Sequence, residues 1–204
     1  YDSVISNYFN KISNTIFPKK KIIHANLIKT PRYGENPHQK SGIYSKNLDI
    51  NIKQIQGKQL SYNNYNDIFA ALTISKTLPK NIGIVIVKHA NPCGVSIKKN
   101  HLESYKAALG CDPISAFGGV VSCNFRITKN LALEMSKTFL EVIIADSFDT
   151  EAIKILKIKK NLRLIDASSY SLKKVLQFKS SNDELLVQSE DINKFNSKNF
   201  RVVS

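Results

Sequence analysis

The chain has 204 residues, and its 30 Lys and Arg against 16 Asp and Glu give a formal net charge of +14. A hydrophobic content of 42% with 23% charged residues is ordinary for a folded domain and excludes intrinsic disorder, collagen and a coiled coil as the main state. Its longest apolar runs, such as residues 82–87, are far shorter than the ~18 residues that a membrane-spanning helix needs, which excludes a membrane protein.

The first forty residues predict a helix, a strand and a loop. Residues 1–9 place Val4, Ile5, Tyr8 and Phe9 at helical spacing and are interpreted as the end of a helix. Residues 22–28 predict a strand. The following segment 31–39 contains two prolines, a glycine and an asparagine, which predicts an irregular polar loop.

A helix and a buried strand follow this loop. The polar stretch 56–64 leads into a predicted helix over 66–77, capped by Asn64 or Asn66, with Asp67 at the positive end of its dipole. Residues 82–87 are a continuous apolar run, as expected of a strand covered on both faces in an α/β sheet.

The remaining pattern alternates helices with strands. Gly110 is predicted to end the first of these helices, and a loop over 111–119 to follow it. The predicted helices span 102–109, 129–139 and 150–158, and the predicted strands span 120–123, 141–145 and 162–166. This alternation predicts an α/β layered fold. Beyond residue 166 the pattern weakens.

Lys88 and His89 directly follow the buried run, where open α/β sheets commonly bind ligands. A neutral imidazole accepts a proton from a nucleophile, and an ammonium group stabilises a developing oxyanion. The alternative is a histidine at a strand end beside a solvated lysine. The next residues, Asn91–Gly94, predict an unusual backbone, which is common at functional sites.

Two loops supply candidate binding groups. Arg32 can hold a phosphate or carboxylate through two hydrogen bonds, and Tyr33 can stack on a ring. In Ser115–Gly119 the small residues let the backbone approach a ligand, and Phe117 offers a stacking face. Each loop also has a purely structural interpretation, as a surface loop and as a tight turn.

Two other functions are weighed against a small-molecule enzyme. Residues 101–103 match the H-x-E of zinc deaminases, but the Pro92-Cys93 pair comes before it and lacks its second cysteine, so we expect no zinc. The basic net charge is typical of nucleic-acid-binding proteins, but the lysines are scattered and no arginine cluster occurs, which argues against this function. The odd number of cysteines, with no C-x-x-C, favours a reducing cytoplasm.

Four stretches in this order resemble the AICAR transformylase part of the bifunctional purine biosynthesis enzymes, which also carry IMP cyclohydrolase. They are Arg32–Gln39 (RYGENPHQ), Gly57–Asn64 (GKQLSYNN) with Asp67, Lys88–Gly94 (KHANPCG) and Asp112–Gly119 (DPISAFGG). Glu141–Ala145 (EVIIA) matches as well. The resemblance implies a three-layer α/β/α fold of the cytidine deaminase type, without its zinc and here incomplete.

The resemblance also implies a reaction and partners. A formyl group would pass from 10-formyltetrahydrofolate, a cosubstrate, to the 5-amino group of AICAR, and the cyclohydrolase would close the product to IMP. His89 would accept the proton of the amine and Lys88 would stabilise the oxyanion. Nucleotide binding would fall to Arg32, Tyr33, Asn64, Gly118 and Glu141. The intact enzymes of this family are homodimers, with no nucleic-acid or membrane partner.

The chain opens on Tyr1, has its single Met at position 135 and stops within the apolar stretch Arg201–Ser204. We therefore expect a piece of a larger protein: residues 1–15 as the tail of the cyclohydrolase domain with a linker, and 16–204 as the first half of the transformylase domain. Folate contacts would lie beyond Ser204, and the piece alone is expected to be inactive. A catalytically inactive AICAR-binding remnant is the alternative.

Overall fold

The computed structural model describes residues 1–12, 16–173 and 176–191, which fall into two units, Tyr1–Tyr170 and Ser171–Ser204. The helices are α1 Asp2–Ile12, α2 Tyr62–Ser75, α3 His101–Cys111, α4 Pro113–Ala116, α5 Lys129–Met135 and α6 Thr150–Lys157. The strands of the first unit are β1 Asn26–Lys29, β2 Ile43–Ser45, β3 Lys53–Gln56, β4 Gly83–Lys88, β5 Asn91–Ile97, β6 Gly119–Ile127, β7 Leu140–Phe148 and β8 Arg163–Asp166.

Six of these strands form one mixed sheet in the order β3-β8-β7-β6-β4-β5. Strands β6, β7 and β8 run parallel to one another, whereas β4 is antiparallel to β6, with Val87 opposite Val120. β5 is antiparallel to β4 and forms one edge, and β3 is antiparallel to β8 and forms the other. The carboxyl end of β4 therefore lies at the amino ends of β6 and β7. A separate two-stranded sheet pairs β1 with β2.

Helices cover both faces of the sheet, so the predicted three-layer α/β/α arrangement is confirmed. On one face α2 packs Ile68 and Leu72 against alternate residues of the central strands, among them Val85, Val120 and Ile144. On the other face lie α3, α5 and α6. They bury the opposite set of side chains, which includes Tyr105, Leu131, Leu156, Ile84, Val121 and Ile143. Five of the six residues of β4 are fully buried, as its continuous apolar run predicts.

Helix α2 begins at a capping box, four residues before the predicted start. The Ser61 hydroxyl accepts the backbone N–H of Asn64, and the Asn64 side-chain oxygen accepts the N–H of Ser61. The prediction of Asn64 or Asn66 as the cap is thus wrong, because serine at 61 with a hydrogen-bonding side chain three residues on closes both bonds. Asn64 keeps a place in the cap as the reciprocal partner.

Other boundaries also differ from the sequence prediction. Strand β1 begins only at Asn26, and β2 and β3 were not predicted. Gly110 does not end α3 but lies inside it, since the helix runs to Cys111. The predicted loop 111–119 contains α4, and the Asp112 side chain caps this helix by accepting the N–H of Ser115. Residues 91–94 are not a loop but the start of β5, paired with β4.

Ser171–Ser204, the second unit, contains one hairpin in its described part, with β9 Gln177–Ser181 antiparallel to β10 Glu184–Gln188. The hairpin lies in the region where the sequence pattern is weak. Residues 13–15, in the predicted linker, and the terminal stretch 201–204 are outside the described residues, and the predicted domain boundary at 15–16 stays a prediction. Across the described ranges, no helix combines the length and the hydropathy needed to cross a bilayer.

Candidate functional site

Three strand ends meet at one edge of the sheet and carry most of the predicted site residues. Lys88 closes β4, Gly118 immediately precedes β6, and Glu141 is the second residue of β7. Since β4 is antiparallel to β6, and β6 is parallel to β7, these three ends fall side by side. Lys88 and His89 thus follow the carboxyl end of the buried strand β4, as predicted, and because β4 is antiparallel to β6 this is also where β6 and β7 begin.

His89 and Ala90 form the two-residue turn that joins β4 to β5. Both have a left-handed backbone, with φ of 52° and 59°, and Lys88 pairs with Asn91 on either side of them. The imidazole of His89 is exposed and forms no hydrogen bond within the described residues. The unusual backbone predicted for Asn91–Gly94 falls mainly on the two residues before it; within 91–94 the pairing with β4 shifts once, between Pro92 and Gly94.

The ammonium group of Lys88 is held beside the loop before β6. Its Nζ donates to the backbone oxygen of Gly118 at 2.8 Å, and the side chain is half-buried. Gly118 has a φ of 68°, and a Cβ there would lie 2.9 Å from that Nζ. Glycine thus serves two needs at this position, a left-handed backbone and room for the lysine.

Asn64 and Glu141 bridge helix α2 to the sheet. The side-chain nitrogen of Asn64 donates to Oε2 of Glu141 at 3.2 Å, while its oxygen belongs to the capping box. Both polar atoms of the Asn64 amide therefore have protein partners. This arrangement fixes the amino end of α2 beside the edge that carries Lys88.

Asp67 lies one turn further along α2 and reaches the His89–Ala90 turn. Its Oδ1 accepts the backbone N–H of Ala90 at 2.7 Å. Burial raises the pKa of the Asp67 carboxyl and the nearby charge of Glu141 adds to this, while the Ala90 N–H, His89 and Lys88 oppose it. From the sequence, Asp67 is predicted only as part of its motif and as a favourable charge for the helix dipole. Its place one helical turn after Asn64 is the signal that links it to the site.

Arg32 and Tyr33 lie in the loop 31–39, which is irregular as predicted. The Tyr33 carbonyl accepts the Ser41 hydroxyl, and the Glu35 carbonyl accepts the side-chain N–H of Asn63 in the first turn of α2. The loop is thereby attached to the helix that carries Asn64 and Asp67. Within the described residues, no hydrogen bond or ion pair joins the Arg32 or Tyr33 side chain to the other predicted site residues.

An aromatic pair lies next to Gly118. Phe117 is largely exposed and its ring centroid is 5.1 Å from that of Phe139. The backbone N–H of Gly118 donates to the Phe139 carbonyl at 2.8 Å, which fixes the loop that carries Phe117. The site edge thus combines one ammonium, one free imidazole and an exposed aromatic face.

The residues that resemble a zinc motif have other partners. The ring of His101 stacks on Phe125 at a centroid distance of 3.6 Å, and its Nε2 is 2.8 Å from the Asn81 carbonyl. Cys93 lies in β5 with its sulfur on the Ile86 carbonyl. Among the described residues, no three His, Cys, Asp or Glu side chains are grouped in a way that would hold a metal ion.

The sequence model of the AICARFT/IMPCHase bienzyme family matches residues 1–204. Bifunctional purine biosynthesis proteins PurH are similar throughout: 41% identity in Caulobacter vibrioides and 40% in Leptospira biflexa, each over 100% of this chain and 40% of the relative. The PurH of Elusimicrobium minutum is 41% identical over 94% of this chain and 37% of its own length. The chain therefore spans about 40% of the length of the curated relatives it matches. It belongs to the AICARFT/IMPCHase bienzyme family.

Proposed function

We propose that this chain, as a member of that family, supplies the catalytic edge for formyl transfer from 10-formyltetrahydrofolate to the 5-amino group of AICAR. In this reaction a bond forms between the amine nitrogen and the formyl carbon. The bond from that carbon to N10 of the folate breaks, the amine proton passes to a base, and N10 takes up one proton in return, so the net transfer is one proton from the amine to N10. The relatives' name, bifunctional purine biosynthesis protein, supports a place in purine synthesis.

His89 is the proposed base. The amine of AICAR is a poor nucleophile because its lone pair is delocalised into the ring, so loss of its proton during attack lowers the barrier. The exposed imidazole at the tip of the turn, with no hydrogen-bond partner among the described residues, supports this assignment. This is the observation that carries the proposal.

Lys88 is proposed to stabilise the oxyanion that develops on the formyl oxygen. An ammonium group has three N–H donors, and the Gly118 carbonyl uses one of them at 2.8 Å. Two donors remain for a substrate. The Gly118 bond also holds the charge at a fixed place before the reaction, which is how electrostatic stabilisation becomes effective.

The proposed nucleotide site comprises Arg32, Tyr33, Asn64, Gly118 and Glu141. Arg32 offers a guanidinium for the phosphate, and the exposed face of Phe117 offers a stacking surface for a planar ring. The loop 31–39, which carries Arg32 and Tyr33, is hydrogen-bonded to Asn63 in the first turn of α2. The loop residues and Asn64 are therefore both held by the start of this helix. Homodimerisation, a cytoplasmic location and the cyclohydrolase step, which would close formyl-AICAR to IMP, are proposed for the whole protein.

The test is formyl transfer by the protein that carries this chain, produced with whatever sequence flanks it in its gene. His89→Ala is expected to lower kcat by roughly 10²- to 10⁴-fold, the usual contribution of a positioned base. His24→Ala, at an exposed histidine away from this turn, is the matched control and should leave kcat unchanged. A protein that binds AICAR but transfers no formyl group would establish the inactive remnant instead. Equal activity of His89→Ala and the control would remove His89 from the mechanism.

A further inference from the structure

The His89–Ala90 turn has a backbone that alanine disfavours. Five non-glycine residues of the described ranges have positive φ, and three of them are Asn51, Asn81 and Asn182. Asparagine and histidine adopt this conformation more often than most residues, whereas an alanine such as Ala90 gains nothing from it. Two-residue hairpin turns with positive φ at both positions strongly prefer Asn-Gly. Something outside the turn therefore holds it in place.

Within the described residues, the side chain of Asp67 forms the one hydrogen bond from outside the hairpin to the backbone of this turn. Its Oδ1 accepts the Ala90 N–H at 2.7 Å, which is a short bond for a backbone nitrogen. The helix that carries Asp67 is itself fixed to the sheet by the bond from Asn64 to Glu141 and by a hydroxyl pair, Ser75 with Ser122, at 2.8 Å. The turn is thus connected to a rigid element.

We infer that Asp67 is a positioning residue for formyl transfer: by accepting the Ala90 N–H, it holds the turn in the left-handed conformation that presents His89 to the substrate. The inference rests on the function proposed above. The acceptor oxygen performs this task and the negative charge does not, because an asparagine at 67 offers the same oxygen in the same place. Burial of the carboxyl, which raises its pKa, fits a residue kept for its position.

Four variants of the protein that carries the chain test the inference: Asp67→Ala, Asp67→Asn, Asp67→Ala with Ala90→Gly, and Asn100→Ala. Asp67→Ala should lower kcat on the order of tenfold to a hundredfold, with KM for both substrates nearly unchanged, because the base is displaced and the binding groups are not. Asp67→Asn should keep kcat close to that of the unaltered protein. Asn100 caps α3, so its replacement reports the effect of lost stability alone and should leave kcat unchanged.

The double variant gives the sharpest result. Glycine adopts positive φ without strain, so Ala90→Gly should restore most of the kcat that Asp67→Ala removes. A double variant as slow as Asp67→Ala would overturn the inference, since Asp67 would then act otherwise than through the turn. Asp67→Asn as slow as Asp67→Ala would also overturn it, since the charge would be the essential feature.

Hydrogen exchange at the Ala90 amide separates this inference from the proposed function. Exchange should be slow in the unaltered protein and in Asp67→Asn, and faster in Asp67→Ala. If the unaltered protein transfers no formyl group, the proposed function fails whatever the exchange rate. If it is active and Ala90 exchanges equally fast with and without the Asp67 side chain, the positioning role alone fails.

Discussion

The two ends of the β4–β6 pair use their polar groups in opposite ways. Where β4 begins, the side chain of Asn124 on β6 forms five hydrogen bonds. Its Oδ1 accepts the N–H groups of Ile82 and Gly83, and its Nδ2 donates to the carbonyls of Ser75, Leu78 and Pro79. Where β4 ends, Lys88 has one protein partner, and the imidazole of His89 has none among the described residues.

The polar side chain at the start of β4 stabilises the fold, whereas those at its end are available to a substrate. Asn124 is 5% exposed, and its amide bonds five backbone groups around the start of β4, of which the Ser75 carbonyl also accepts the Leu78 N–H. At the other end the polar side chains keep free donors and acceptors, as a substrate requires. The same pair of strands therefore has one end that stabilises the fold and one that is available for chemistry.

Removing the Asn124 side chain is expected to have the largest effect on stability. Asn124→Ala leaves five backbone groups without their partner, which should lower the free energy of unfolding by about 3 kcal/mol or more. Urea denaturation measures this change. The control is Asn63→Ala, which removes one exposed bond to the Glu35 carbonyl and should cost about 0.5–1 kcal/mol. Similar losses for the two variants would contradict the comparison.

A smaller effect of opposite sign is expected at the other end. His89→Asn replaces a residue at φ 52° by one that adopts this conformation still more readily, so the free energy of unfolding should rise slightly. Formyl transfer should fall at the same time, because the imidazole is lost. The reverse substitution Asn51→His, at φ 59°, should lower stability slightly. A stability loss for His89→Asn would contradict a strained backbone at position 89.

The smallest effect is a pH dependence at Asp67. Because burial raises the pKa of this carboxyl above the ordinary value of 3.8, the folded state binds its proton more tightly than the unfolded state. The stabilisation by this group is therefore present below the unfolded pKa and is lost as pH rises through the folded one. The stability of Asp67→Asn relative to the unaltered protein should increase as the pH rises past 3.8 and level off above the raised pKa of the folded state. A difference that is constant with pH, measured by urea denaturation, would contradict the burial of a charge here.

The regular helices and strands can be predicted from local patterns of apolar residues in the sequence. The apolar run 82–87 predicts a buried strand, and the spacing of Ile68, Ala71, Leu72 and Ser75 predicts the face that α2 buries. The alternation of helices and strands predicts a layered α/β fold, and the family resemblance implies its three layers. These elements are determined by local periodicity, and tertiary contacts only adjust their ends.

The β4–β5 hairpin could not be predicted in this way. Its turn residues, His89 and Ala90, are not hairpin formers, and Pro92 disfavours a strand. The turn is bonded to Asp67, which lies 23 residues away in the chain, and a local pattern does not reveal such a contact. The arrangement of the candidate site could not be predicted from the sequence either. The motifs indicate its residues one by one, but their proximity follows from the directions of β4, β6 and β7.

Helix α2 spans the sheet and has fixed contacts at both of its ends. At one end it is held by the Ser75–Ser122 pair and by the ion pair of Lys76 with Asp146 at 2.5 Å, and at the other it delivers Asn64 and Asp67 to the site edge. At about 1.5 Å per residue, one inserted residue would shift and rotate the delivered side chains by roughly 100°. We conclude that the length of this helix is as much a part of the site as any side chain in it, so insertions there should be tolerated far less than in the loop 31–39.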